Sequence, residues 1–104
     1  MKLSRTASLF VACFALVANG KAQSAPANPY AAKCQMCHGA NGLGDTPAGK
    51  AMGARAFNSP DVIKESDADL LTVIKSGKAK MPAFAGKLTD PQMTGLVAYI
   101  RKLQ

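Results

Sequence analysis

The 104-residue chain contains no tryptophan, a single histidine (His38) and only six acidic residues against 13 lysines and arginines. It also lacks any apolar run of the roughly 20 residues that a membrane-spanning helix requires; the longest, ASLFVACFALVA at residues 7–18, has twelve positions. No stretch alternates in hydropathy over the length of a strand, and no repeat or low-complexity tract occurs, which argues against a β or solenoid architecture. The few aromatic residues are not interleaved with the basic ones, so the positive charge is not that of a nucleic-acid-binding surface. What remains is a small, basic chain, 48% apolar, with the composition of one globular unit.

Its beginning reads differently from the rest. MKLSR supplies a basic opening, the twelve-residue apolar run follows, and the small and polar NGKAQSA comes next. This is the layout of a secretory signal peptide. Residues 1–24 are assigned to it, with cleavage between about positions 20 and 25, and residues 25–104 form the domain. Acylation at Cys13 is disfavoured, because Phe10 stands where a lipobox has leucine and the apolar run continues past the cysteine. Removing the segment discards Lys2, Arg5, Lys21 and Cys13, leaving ten basic against six acidic residues, a net charge of +4, and only Cys34 and Cys37. The expected location is periplasmic, reached through the Sec pathway, with no stable membrane insertion after cleavage and a monomer favoured.

Within residues 25–104, YAAKCQMC reads as a short helix running into the cysteines. Five glycines between Gly39 and Gly53, with Asp45, Thr46 and Pro47 among them, read as a loop that wraps around something. Asn58-Ser59-Pro60 starts a brief turn through Ile63. Ser66-Asp67-Ala68-Asp69 resembles a capped start for a helix that ends at Gly77. Thr89-Asp90-Pro91-Gln92 has the spacing of a capping box, and Met93, Leu96, Val97 and Ile100 behind it recur at i, i+3, i+4 and i+7. The expected class is all-α, with three main helices and long loops. A core this thin in about 80 residues commonly needs a disulfide, metal or cofactor to offset the entropy of ordering its loops.

CQMCH, residues 34–38, supplies that element. C-x-x-C-H is the attachment pattern of haem c. Cys34 and Cys37, at i and i+3, share one side of a helical turn, where their sulfurs reach the two vinyl groups on one porphyrin edge. The adjoining His38 offers the iron a nitrogen lone pair as proximal ligand. Three other readings accompany this one: a disulfide or thioredoxin-like pair, although no βαβ pattern is present; a zinc site, although no cysteine or histidine follows His38 to complete a tetrahedron; and a chance arrangement of structural thiols.

With no second histidine, the remaining axial site is open, bound by solvent or taken by a softer group, for which methionine is the natural candidate, since its thioether stabilises ferrous iron and raises the potential. Met81 is the candidate, in KAKMPAF between Gly77, which closes one helix, and Pro82, which bars another. Met36 is tied inside the attachment turn, Met93 belongs to the helical stripe, and Met52 is placed to pack against a ring edge. Lys33, Lys75, Lys78, Lys80 and Lys87 lie close in sequence to these segments and suggest a positive collar that steers the protein toward acidic patches on redox partners.

CQMCHG, KMPAF and LTDPQMTGLVAYIRKL, in this order, resemble a class I c-type cytochrome of the small soluble bacterial kind, over Tyr30 to Gln104. The resemblance implies a cytochrome c fold around one covalent haem, Cys34 and Cys37 as thioether partners, and His38 and Met81 as axial ligands. It further implies that Tyr30 meets Tyr99 where the terminal helices cross, and that the Pro47 carbonyl holds the second histidine nitrogen. Two features depart from the family: Pro26 replaces a small glycine ahead of the first helix, and the tryptophan that some members set beside a haem propionate is missing, leaving Arg55 or Lys50 for that role. The function implied is single-electron carriage between redox partners, without enzymatic chemistry. Alternatives are a haem subunit of a dedicated dehydrogenase or oxidase complex, and a ligand-binding or peroxidatic haem protein with an open sixth site.

Overall fold

The structure, a computed structural model, describes residues 28–104; the signal-peptide assignment and Cys13 lie outside the described residues. Six helices follow in order: α1 (Tyr30–Lys33), α2 (Gln35–His38), α3 (Pro47–Met52), α4 (Pro60–Ile63), α5 (Asp67–Ser76) and α6 (Asp90–Lys102). Among the described residues there is no strand, only isolated bridges between Lys78 and Met81 and between Ala85 and Leu88.

The two long helices begin and end where local chemistry dictates. The Ser66 side chain accepts from Asp69 N–H at 3.1 Å and caps α5, while Gly77 takes over after Ser76. At α6, Gln92 N–H donates to Thr89 Oγ1 at 3.2 Å and Thr89 N–H donates to Gln92 Oε1 at 2.9 Å, a reciprocal box that satisfies two otherwise orphaned donors. All four residues of the α6 stripe, Met93, Leu96, Val97 and Ile100, are buried. They meet Leu70 and Ile74 of α5 together with Tyr30, Phe57, Val62 and Phe84 in one core.

Two elements differ from the sequence reading. The segment around the cysteines is two helical turns rather than one, because Cys34 between them takes φ −121°, outside the helical range. Within the glycine-rich stretch, residues 47–52 form α3, with Thr46 as N-cap, Pro47 in its first turn and left-handed Gly53 at its end. Each of these is an ordinary helix boundary signal; the density of glycines around them masked it.

Tyr30 is 2% exposed and its ring centre lies 4.8 Å from that of Tyr99 on α6, so the first and last helices meet through this pair. The Tyr30 hydroxyl donates to Gly39 O at 2.6 Å, which ties the same contact to the end of α2. Burial above all, with the neighbouring Cys34 and Tyr99 adding to it, pushes the Tyr30 phenol up to about 12, so it remains a donor at any physiological pH. In the same last turn of α6, Arg101 Nε donates to Asp67 Oδ1 at 2.8 Å and Arg101 Nη2 donates to Glu65 O, which fasten α6 to the start of α5.

Candidate functional site

The helices and the loops between them surround a largely apolar cavity of about 560 Å³. Cys34, Cys37, His38 and Met81 all line it, although Met81 lies more than forty positions beyond His38 in the sequence. Phe57, Val62, Leu70, Val73, Ile74 and Leu96 supply apolar walls. A pocket of this size and character accepts a flat apolar molecule and excludes water from most of its surface.

Helix α2 and its N-cap Cys34 place three of these side chains. The His38 ring stacks on Phe57 with ring centres 4.7 Å apart and planes 25° from parallel. Burial lowers the affinity of His38 for a proton, which keeps the imidazole neutral and a lone pair available to a metal. Its Nδ1 is buried without a hydrogen-bond partner. The Pro47 carbonyl implied for it does not make that bond, and Pro47 instead opens α3. Cys34 and Cys37 are unpaired and half-buried, and burial pushes the Cys34 thiol up to about 11.

Thr46 joins the attachment turn to the next helix. Its hydroxyl donates to Met36 O at 2.6 Å, lies 3.1 Å from Cys37 O, and accepts from Gly49 N–H at 2.9 Å. One oxygen thus serves carbonyls at the end of α2 and the N-terminus of α3 together. Replacing Thr46 by Val keeps the shape and removes both bonds; the holo-protein is expected to lose about 1–2 kcal/mol, read as a lower urea midpoint with unchanged slope. An unchanged midpoint would count against this role. Phe57 carries no sequence signal that would have found it, since it belongs to no motif and acts on a residue far along the chain, whereas Thr46 is legible as an N-cap but its bonds to Met36 and Cys37, ten and nine positions back, are not.

The basic residues divide. Lys33, Lys78 and Lys80 line the cavity, whereas Lys87 does not and Lys75 stands 3.7 Å from Asp90 Oδ1. Of the five lysines, three therefore line the cavity. Arg55 lines the cavity but its Nη2 pairs with Glu65 Oε1 at 2.9 Å, and Lys50 lies away from the lining. Met52 lies at the wall, as its sequence position suggested, and Met93 is core.

Among the described residues no cluster of three or more His, Cys, Asp or Glu is arranged to hold a bare metal ion. One imidazole and one thioether on a shared apolar cavity, with two thiols beside the imidazole, instead suit an iron that brings four further ligands in a macrocycle. The residues present fit a haem joined through Cys34 and Cys37.

Comparison with known proteins agrees. Residues 21–100 match the family model described as "Cytochrome C oxidase, cbb3-type, subunit III". Cytochrome c6 of Parathermosynechococcus lividus is 32% identical over 78 residues, covering 71% of this chain and 82% of that protein. Cytochrome c6 of Bryopsis maxima is 28% identical over 81 residues, covering 73% and 85%. Among solved structures, the c-type cytochrome KustC0563 superposes with a TM-score of 0.67 at 32% identity over 72% of this chain and 92% of its own. A neutral imidazole and a thioether facing one apolar cavity, two thiols spaced for porphyrin vinyl groups, and relatives of this kind lead to one assignment: the chain belongs to the cytochrome c family, as a small class I c-type cytochrome that binds haem c covalently and transfers electrons.

Proposed function

We propose that this protein is a periplasmic carrier of single electrons, with one haem joined at Cys34 and Cys37 and its iron held between His38 and Met81. The observation that supports this most directly is the convergence of those four residues on one apolar cavity. Residues 1–24 are the segment proposed to direct export. When bound, the haem supplies a reversible one-electron couple. Everything else is the work of the chain. His38, kept neutral by burial, gives a nitrogen donor without a competing proton. Met81 gives a soft sulfur donor that favours the ferrous state. The apolar walls hold the dielectric low and leave little to reorganise when the charge on the iron changes.

Lys33, Lys78 and Lys80 mark the mouth of the cavity as the side presented to a partner. Acidic patches on that partner fit them. The bimolecular rate of electron transfer with an acidic redox protein is expected to fall on the order of tenfold as ionic strength rises to about 0.3 M. Stopped-flow measurement over a salt series checks this, and a flat profile would argue for an uncharged docking face.

The ligand assignment has a separate test. The oxidised protein should be low-spin, with the weak red charge-transfer band of methionine–iron bonding, and the reduced protein should not bind carbon monoxide. A high-spin oxidised spectrum with carbon monoxide binding would reject Met81. The description of the matching family favours a second reading, a haem subunit of a dedicated oxidase complex. It predicts co-purification with the catalytic subunits, whereas a diffusible carrier purifies alone.

A further inference from the structure

The carbonyls at the end of a helix have no donor within it. At α5, three of them are satisfied by the segment that follows. Gly77 N–H donates to Val73 O at 2.8 Å, Phe84 N–H to Ile74 O at 3.0 Å and Ala85 N–H to Lys75 O at 3.1 Å. Residues 77–85 are thus a loop fastened at both ends to one helix terminus, with Met81 midway.

Met81 is held there by a two-residue hairpin. Lys78 N–H donates to Met81 O at 3.2 Å and Met81 N–H donates to Lys78 O at 2.9 Å. Ala79, the first central residue, has φ +52°, at a position where such hairpins favour glycine. Gly77 is under two constraints at once. Its φ of 73° and ψ of 171° belong to a region populated essentially by glycine alone. A Cβ on Gly77 would stand 2.6 Å from Met81 O and 3.0 Å from both Ala83 N and the Pro82 carbonyl carbon. All three are backbone atoms of the ligand segment, which no side-chain rotation can move aside.

We infer that Gly77 is the positioning residue for Met81: its missing side chain lets the backbone of residues 81–83 close against the end of α5 and so sets the thioether on the cavity wall. The inference rests on the proposed role of Met81 as an iron ligand. A Cβ at position 77 pushes the Met81–Pro82 backbone outward. Exchanging Ala79 for glycine acts oppositely, relieving the turn without crowding it.

The test is titration of the ferric holo-protein with imidazole, which competes with an axial thioether, followed together with the red charge-transfer band. Gly77→Ala is expected to bind imidazole about tenfold more tightly and to lose much of the band. Ala79→Gly is expected to keep the band and bind imidazole about threefold more weakly. In a Met81→Ala background, adding Gly77→Ala should change imidazole affinity by less than about twofold, because the residue through which it acts is gone.

A wild-type protein without the band, binding imidazole as tightly as Met81→Ala, would overturn the ligand assignment and this inference with it. A normal wild type beside an unaltered Gly77→Ala protein would overturn the inference alone. So would a tenfold effect that persists in the Met81→Ala background, since Gly77 would then be acting on the whole pocket. Should Gly77→Ala fail to accumulate as holo-protein, Ala79→Gly decides: an imidazole affinity equal to wild type refutes the inference.

Discussion

Replacing Cys34 and Cys37 together by alanine is expected to give a chain that carries no haem through denaturing electrophoresis and shows little helix and no cooperative thermal transition. The expectation follows from the size of the cavity against the stability available. At about 24 cal/mol per Å³ of void, an empty space of about 560 Å³ costs on the order of 13 kcal/mol, an upper limit because the lysine-lined mouth admits water. An ~80-residue core rarely supplies more than about 3–5 kcal/mol. Even a third of the upper limit is enough to unfold it. The walls at stake are the apolar residues Phe57, Val62, Leu70, Ile74 and Leu96, which belong to the core and to the cavity lining alike. Without a cofactor, each of these walls loses its packing partner on the cavity side. Covalent haem on the doubly substituted chain would refute the attachment sites; a colourless chain that still melts cooperatively at the wild-type temperature would refute the dependence of the fold on its cofactor.

The second large effect concerns Gly49, buried in α3. A Cβ there would stand 2.1 Å from Cys37 O and 2.8 Å from Gly44 O. Both obstacles are backbone, and Cys37 belongs to the turn proposed to carry the cofactor. Helices α2 and α3 therefore meet at a distance only glycine allows, with the Thr46 hydroxyl bridging them. Gly49→Ala forces them apart, and overpacking of this kind costs about 3 kcal/mol. In a domain of this size the holo-protein is then expected to melt roughly 12–24 °C lower. Gly53→Ala is a useful comparison, since nothing stands within 4 Å of its Cβ, although its φ of +71° still disfavours alanine. A Gly49→Ala protein that melts at or above the temperature of Gly53→Ala would show that the α2–α3 contact yields easily.

Legibility in the sequence followed the range of the interactions. Ser66 with Asp69 and Thr89 with Gln92 are three residues apart, so their spacing exposed the starts of α5 and α6. The stripe Met93, Leu96, Val97 and Ile100 needs only helical periodicity to identify its buried face. Helix α3 escaped notice because Thr46-Pro47 and Gly53, adequate signals alone, lay among glycines that equally describe a loop. The pairing of Arg55 with Glu65 and the stacking of His38 on Phe57 join segments ten and nineteen positions apart, and neither partner is marked by its neighbours.

By itself the sequence determined the family, the helical class and the four candidate residues that share one cavity, because C-x-x-C-H, the methionine between Gly77 and Pro82, and the caps are written in consecutive residues. Tertiary structure alone decided how close the pieces come. Which glycines are indispensable, which lysines face the cavity, and that Arg55 turns to a carboxylate all depend on distances between segments remote along the chain. Close packing sets those distances to within a methyl group, and no local pattern of residue types encodes that margin.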